Sequence, residues 1–495
     1  MRFGAASAAA LCLCLAGCAV VPEPLTESQI SDYAEDKQSR VVADQEPLAG
    51  PLSLSEAMAR ALKYNLDKEV EVMQVMLSDR QLRVAHYSKL PQVVSDWGYA
   101  DRNNYSGGSS VRLLGPTSIG EESLTSSTSS ERDVQSADIR FSWNILDFGL
   151  SWVRAKQAAD RVLIAEESRR RVINRILENV RTAYWRAVSA TRLTIRMQAL
   201  ESRVRRALDD TEALIAKGDS SPLTALTYER ELVEIQRELR KLDGELSSAK
   251  GQLAALINVD PGSAYEVAVP RSLVMLGSPG LSPEEMVSTA LRNRSELREV
   301  AYQQRINAHE AEAALLEMLP GVSLDAAPNW NSNQFLFNNH WVAWGAQASW
   351  NLIKVFSYPD RVAEIDAEDD LLDTRALAVT MAIMTQVHLS RARLYHARRD
   401  YESAAHYYDV QARILEQIRS ALAAGKVSEQ TAIREEMNTL VATVKRDMAY
   451  AEMQSAAAAL IASMGRTPYD DLDYHSLSVA ELKGSISSGG VVALQ

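Results

Sequence analysis

The strongest constraint on this chain is that it states one pattern twice, 229 residues apart. Leu52-Ser53-Leu54-Ser55-Glu56-Ala57-Met58 through Ala61-Leu62-Lys63 is answered by Leu281-Ser282-Pro283-Glu284-Glu285-Met286-Val287 through Ala290-Leu291-Arg292, and Leu90-Pro91 by Leu319-Pro320. Further on, Trp143-Asn144-Ile145-Leu146 pairs with Trp350-Asn351-Leu352-Ile353, and Gly218 with Gly425, at an offset of 207. An internal repeat governs architecture before any single motif does. The two offsets differ by roughly 22 residues, which predicts an insertion of that size in a loop of the first copy.

Within each copy the periodicity predicts two short helices and one long one. The short helices fall at 55–88 and 223–256, then 283–317 and 428–463; the long ones at 151–217 and 358–424. Val172, Ile173, Ile176, Val180, Ala183 and Tyr184 recur at helical spacing, with Arg169, Arg170 and Arg171 on the remainder. A 67-residue helix is roughly 100 Å long. The short pair sums to nearly that length, so the short helices are expected to stack end to end beside the long one. Taken alone, the helices would suit a soluble coiled coil.

The strands point elsewhere. Ala137, Ile139, Phe141, Trp143 and Ile145 alternate with Asp138, Arg140, Ser142 and Asn144; Trp344, Ala346, Ala348, Trp350 and Leu352 alternate with Gly345, Gln347, Ser349 and Asn351. Such period-two runs have the length of a tilted membrane strand. Weaker partners precede them around Val93, Trp97 and Tyr99, and around Val322, Leu324 and Ala326. Trp97, Trp143, Trp152, Trp341, Trp344 and Trp350 all sit in or beside these runs, as interfacial aromatic girdles would. Trp97, Trp143, Trp344 and Trp350 are the expected membrane-facing aromatics. Four strands cannot close a barrel, and open edges are not tolerated in lipid, so the chain is expected to oligomerise. Two copies would supply eight strands and three twelve; physics alone leaves both open.

The first 18 residues hold all three cysteines, in an apolar run ending Leu15-Ala16-Gly17-Cys18. This reads as a secretory signal over 1–17 with a lipobox, Cys18 being acylated (palmitate-type chains) and becoming the mature N-terminus. Ala19 rather than aspartate follows, a sorting pattern for the outer membrane. No later stretch offers a membrane helix. Residues 18–50 are read as an extended segment, 51–257 as the first repeat with a hairpin at 90–147, 258–280 as an equatorial linker. The second repeat is 281–465 with a hairpin at 319–354, and 466–495 is an equatorial tail. The Ser/Gly-rich stretch 103–136 is read as an external loop unable to bury a core.

Chemistry is sparse. The formal charge of −12 argues against a nucleic-acid partner. His388, His396 and His406 share a helix at spacings unsuited to a metal, no His-Glu-x-x-His occurs, and no serine sits in a nucleophile elbow. Neither an active site, a metal nor a cofactor is expected.

The order and duplication of these elements resemble the TolC-like outer-membrane efflux family: the Leu-Ser-Leu-Ser-Glu-Ala-Met opening, the Leu-Pro before each hairpin, Trp-Asn-Ile-Leu-Asp-Phe-Gly at 143–149, and a glycine ending each long helix. The resemblance implies a mainly α fold with a β-barrel part. Specifically, it implies a homotrimer whose twelve-stranded outer-membrane barrel continues into a periplasmic helical tunnel, partnered by a periplasmic adaptor and an inner-membrane pump. It places the gate and adaptor-docking tip at Gly218, Asp219 and Ser221 and at Gly425, Lys426, Glu429 and Arg434. Family members commonly carry aspartates just beyond the second glycine; Thr431 and Arg434 stand there instead. The implied function is a passive exit duct. A channel dedicated to type I protein secretion shares the architecture. A periplasmic adaptor or structural coiled-coil lipoprotein belongs to a different class, for which tryptophan-bearing strands in a duplicated frame have no purpose.

Overall fold

A computed structural model describes residues 22–43, 45–109, 111–122, 125–217, 222–270, 280–465, 474 and 476–492. Cys18, Gly218, Asp219 and Ser221 lie outside them.

Each repeat opens with a capped helix. Ser53 Oγ accepts the Glu56 amide at the start of α2 (Leu54–Tyr64), and Ser282 and Glu285 form a reciprocal capping box on α6 (Pro283–Asn293). The expected continuous helices 55–88 and 283–317 are not observed. Each breaks at one extended residue, Asn65 (ψ 125°) and Arg294 (ψ 128°), which ends one helix and starts the next: α3 (Leu66–Tyr87) and α7 (Ser295–Glu317). The two breaks are equivalent positions of the repeat. They let α2, whose residues Ala57–Leu62 are all buried, turn into the central core while α3 runs on as a rod.

The long helices α4 (Ile145–Lys217) and α8 (Leu352–Ala423) begin directly after their strands, some six residues earlier than the periodicity indicated. Asn144 explains the first start, because its Oδ1 accepts the Leu146 amide at 2.9 Å; Asn351 does the same for Ile353 at 3.1 Å. At 73 residues α4 is about 110 Å long. The second short helices, α5 (Pro222–Leu256) and α9 (Glu429–Ser463), fall where expected. Asn65 Nδ2 donates to the Leu256 carbonyl at 2.9 Å, so α3 meets α5 end to end beside α4. Arg294 and Gly465 make the same junction between α7 and α9. Gly465 has φ +67°, and a Cβ there would lie 2.7 Å from the Asn293 carbonyl carbon.

The helical layer therefore runs laterally from α3/α5 to α4, then α7/α9, then α8. A four-stranded antiparallel sheet caps one end in the matching order: β1 (Gln92–Asp101), β4 (Asp133–Asn144), β5 (Gly321–Asn331), β6 (His340–Ser349). The 103–136 stretch is not wholly irregular. It contains a small hairpin, β2 (Val111–Gly115) with β3 (Ser118–Glu122).

Both terminal segments fold back on the central core. Residues 18–50, expected to be extended, carry helix α1 (Glu27–Val41), closed by a Thr26/Gln29 capping box. Arg60, 2 % exposed, donates to the Glu46 and Pro47 carbonyls at 2.8 and 2.9 Å and holds the strap that follows α1. The linker after α5 pairs Val267 with Leu52 in a parallel bridge. Helix α10 (Val479–Val492) buries Leu482 and Ile486 against α2, with Lys483 bridging to Glu56 at 3.0 Å. One core cluster occupies this equator, around Tyr184, Trp185 and Tyr450. A second runs down α4, α5 and α9 through Val204, Leu232, Ile433 and Leu440.

Candidate membrane edge and periplasmic tip

Strand register tests the facing assigned to each copy. Directly opposed residues share a face. Val93, Phe141, Ala326 and Trp344 form one row across all four strands, and Trp97, Ala137, Trp330 and His340 another. The apolar faces read separately in the two copies thus merge into one. The reverse face carries Gln92, Ser142, Asp325 and Gly345 in one row and Asp96, Asp138, Asn329 and Trp341 in another. Arg140 and Asp138 approach to 3.8 Å on that polar side.

Two tryptophans change place in this picture. Trp341, expected in an aromatic girdle, lies on the polar face opposite Asn329. Trp330, not anticipated in any strand, belongs to β5 and to the apolar face. Of the four expected membrane-facing aromatics, Trp97, Trp143 and Trp344 are on the apolar face of the sheet. Trp350 is just past β6, where its Nε1 donates to the Met318 carbonyl at 2.9 Å. Trp344 is 86 % exposed in the single chain and, with exposed Val93, Trp97 and Phe141 on the same face, makes an apolar patch of the kind that marks an interaction surface.

At the far end of the rods, Gly425 (φ +67°) closes α8 in a Schellman turn: its amide donates to Leu422 and the Lys426 amide to Ala421, both at 2.9 Å. Ser428 Oγ then accepts the Thr431 amide and starts α9. Glycine is needed there because other residues resist that positive φ.

Ion pairs tie the helices above this turn. Arg434 on α9 reaches Glu231 on α5 at 3.0 Å, and Gln430 joins the same carboxylate at 3.1 Å. Arg203 on α4 contacts Glu429 at 3.0 Å and also Glu436, which Arg419 on α8 holds from the other side at 2.8 Å. Gln411 donates to Glu435 at 2.7 Å. The carboxylates leave a mark on Tyr228 beside them: burial first, then Glu429, Asp210 and Glu231, push its phenol above the usual range. Glu429 and Arg434, expected at the tip from the sequence, thus each enter an ion-paired group between helices, while Lys426 is exposed in the turn. Arg203, Arg419 and Glu231 were not anticipated. Arg203 and Glu231 sit on α4 and α5, in the first repeat, and Arg419 on α8 just before the turn, with no motif to mark any of them.

Among the described residues, no group of three His, Cys, Asp or Glu is placed to hold a metal ion, and no helix is long and apolar enough to cross a membrane.

A family model described as Outer membrane efflux protein matches residues 59–259. No curated protein sequence matches the chain. Among solved structures, the chain is similar to the Campylobacter jejuni CmeC outer membrane channel at 14% identity and a TM-score of 0.64, covering 95% of this chain and 98% of that one. CusC, whose structures describe folding and transmembrane channel formation, is 18% identical with a TM-score of 0.62, covering 86% and 96%. The Vibrio cholerae outer membrane protein VceC is 13% identical with a TM-score of 0.62, covering 83% and 96%. At these identities the likeness speaks for the fold.

Proposed function

From the match of residues 59–259 to the outer membrane efflux protein family, we propose that the chain is such a protein and that three copies assemble into one passive exit duct across the outer membrane and periplasm. A single observation carries this reading: the open edges of the two layers coincide. β1 and β6 are the free edges of the sheet, and α3/α5 and α8 are the free edges of the helical layer on the same two sides. Lipid does not accept an unpaired strand edge. Apolar side chains also stand exposed along both rod edges, Val70, Met73 and Val84 on α3, and Leu371, Leu377 and Leu389 on α8. One lateral contact between neighbouring copies would close both layers at once. With four strands per chain, three copies give a barrel of twelve, inside the range of membrane barrels. The polar face bearing Asp138 and Arg140 would then line water.

In this reading Cys18 anchors the chain by its acyl chains. An inner-membrane pump supplies the energy, and an adaptor docks at the tip formed by Gly218, Asp219 and Ser221 with Gly425, Lys426 and Glu429. The Arg434–Glu231 and Arg203–Glu429–Glu436–Arg419 ties hold the tip closed within each subunit, taking the place of aspartates at the constriction. Adaptor binding opens the duct by competing for these pairs, of which the exposed Arg434–Glu231 contact is worth no more than about 1 kcal/mol.

Gel migration and conductance test this. The unboiled protein should run as a heat-modifiable trimer; monomeric migration under all conditions would defeat the proposal. In planar bilayers the doubly changed Arg203→Ala/Arg434→Ala channel should be open more often than the parent. An unchanged open fraction would remove these residues from the gate.

A further inference from the structure

An apolar slot of about 560 Å³ lies just beyond the sheet, between the first turns of α4 and the last turns of α7. Phe148, Trp152, Val153, Leu315 and Leu316 line it, and Gly149 opens its floor, where an added Cβ would meet Leu316 at 3.5 Å. Its size is that of a ligand pocket.

The slot continues the lipid-facing side of the sheet. Trp143, at the end of β4 on the apolar face, packs edge-on against Phe148 with centroids 5.8 Å apart. Phe148, Trp152 and Lys156 then follow at intervals of four, on one face of α4. Moving away from the sheet, the lining changes from rings and leucines to Lys156 and Glu312, which pair at 3.2 Å. Lys89 adds a second cation, its Nζ 4.9 Å from the Trp152 ring centroid and 2.9 Å from His86 Nδ1, so that it meets a ring and an imidazole rather than a carboxylate. Lys354, at the start of α8, stands at the same strand-to-helix junction. The gradient is that of the membrane interface: hydrocarbon, aromatic belt, then cations at the headgroup level.

We propose that this slot binds one glycerophospholipid of the periplasmic leaflet, its acyl chain among Phe148, Trp152, Leu315 and Leu316 and its phosphate between Lys89 and Lys156. The inference rests on the four strands spanning the membrane. A lipid fits better than a protein partner because the slot is apolar at its membrane end only and continuous with the lipid-facing row. Held there, it would wedge the α4–α7 junction where the barrel gives way to the tunnel.

Photocrosslinking tests it. The full-length trimer is reconstituted in phosphatidylethanolamine–phosphatidylglycerol vesicles doped with a phosphatidylethanolamine bearing a diazirine on its acyl chain, and labelled peptides are mapped by mass spectrometry. Label is expected at 148–153 and 315–316 as well as along the strands. Gly149→Leu, which fills the slot, should cut slot labelling about tenfold, equivalent to ~1.4 kcal/mol, while strand labelling and trimer migration hold. Lys89→Glu, a surface change, should cut it about fivefold, the effect of one lysine at an anionic surface. Slot labelling that neither change alters would overturn the proposal. Labelling that rises when Cys18→Ala removes the chain's own anchor would overturn it too, by showing that the anchor is the occupant. Loss of label from the strands as well would sink the membrane reading with it, whereas strand label without slot label sinks this inference alone.

Discussion

The long helix of the first repeat, α4, has α3 and α5 on one side and α7 and α9 on the other, whereas its counterpart α8, among the described residues, packs mainly against helices of its own repeat, α6, α7 and α9. The strands before them differ in the same way: β4 pairs with both β1 and β5, but β6 pairs with β5 alone. Near-identical sequence patterns therefore fill two unlike positions, one at the centre of the subunit and one at its rim. The first copy also carries its own fastening. Arg60 clamps the N-terminal strap, and the equivalent position in the second copy is Thr289. Duplication sets the shape of a unit; what surrounds it decides whether a given apolar side chain is core or interface.

The largest test of this contrast is a pair of truncations. Ile176→Ala in α4, at 3 % exposure, should destabilise the subunit by about 2–5 kcal/mol in urea titrations of folding into vesicles. Leu377→Ala in α8, 65 % exposed in the single chain, should leave subunit folding nearly unchanged and instead lower the temperature at which the trimer dissociates on gels. Equal effects on folding would erase the distinction between centre and rim.

The strands give the next test. Trp344 lies midway along β6, in the row with Val93, Phe141 and Ala326, so Trp344→Arg should cost about 2–4 kcal/mol of barrel folding. Trp143 sits at the helix end of β4, where the same change should cost about 0–1 kcal/mol. The reverse order would mean that the apolar row does not lie at mid-membrane.

The smallest expected effect concerns the strap. Glu46 accepts from Lys63 at 2.8 Å, and from the Val479 amide and the Tyr64 hydroxyl, contacts that hold its carboxyl below the usual 4.5, the Lys63 bond foremost. A depressed folded value stabilises above the unfolded one and is lost as pH falls through the folded one. Protease protection of residues 45–47 should therefore weaken as the pH drops below 4.5. In Glu46→Gln it should already be weaker and change little over that range.

Much of the fold was legible because it rests on periodicity and caps. The two alternating strand runs, the ends of α5 and α9, and the stacking of short helices beside a long one all follow from local pattern and length. The breaks at Asn65 and Arg294 did not, since neither glycine nor proline marks them and the cause is the turn of α2 into the equatorial core. Helix α1 is harder to read: Thr26 and Gln29 spell a capping box, but Pro22, Pro24 and Pro47 around it favour an extended segment. At the tip, Glu429 and Arg434 follow a recognisable glycine turn. Arg203 and Glu231 are far from it in sequence, and Arg419, though close, carries no motif; all three become partners only when α4, α5, α8 and α9 lie side by side.

By itself the sequence determined the duplicated unit, the alternation that gives each ribbon an apolar and a polar face, and the positions of most rods. These depend on residue spacing within one element, which folding does not alter. Only the tertiary structure decided that the two apolar faces form a single surface, that Trp341 faces the polar side and Trp330 the apolar one, and that the free edges of sheet and rods coincide. Register and lateral order arise from contacts between segments hundreds of residues apart, and nothing within either segment encodes them.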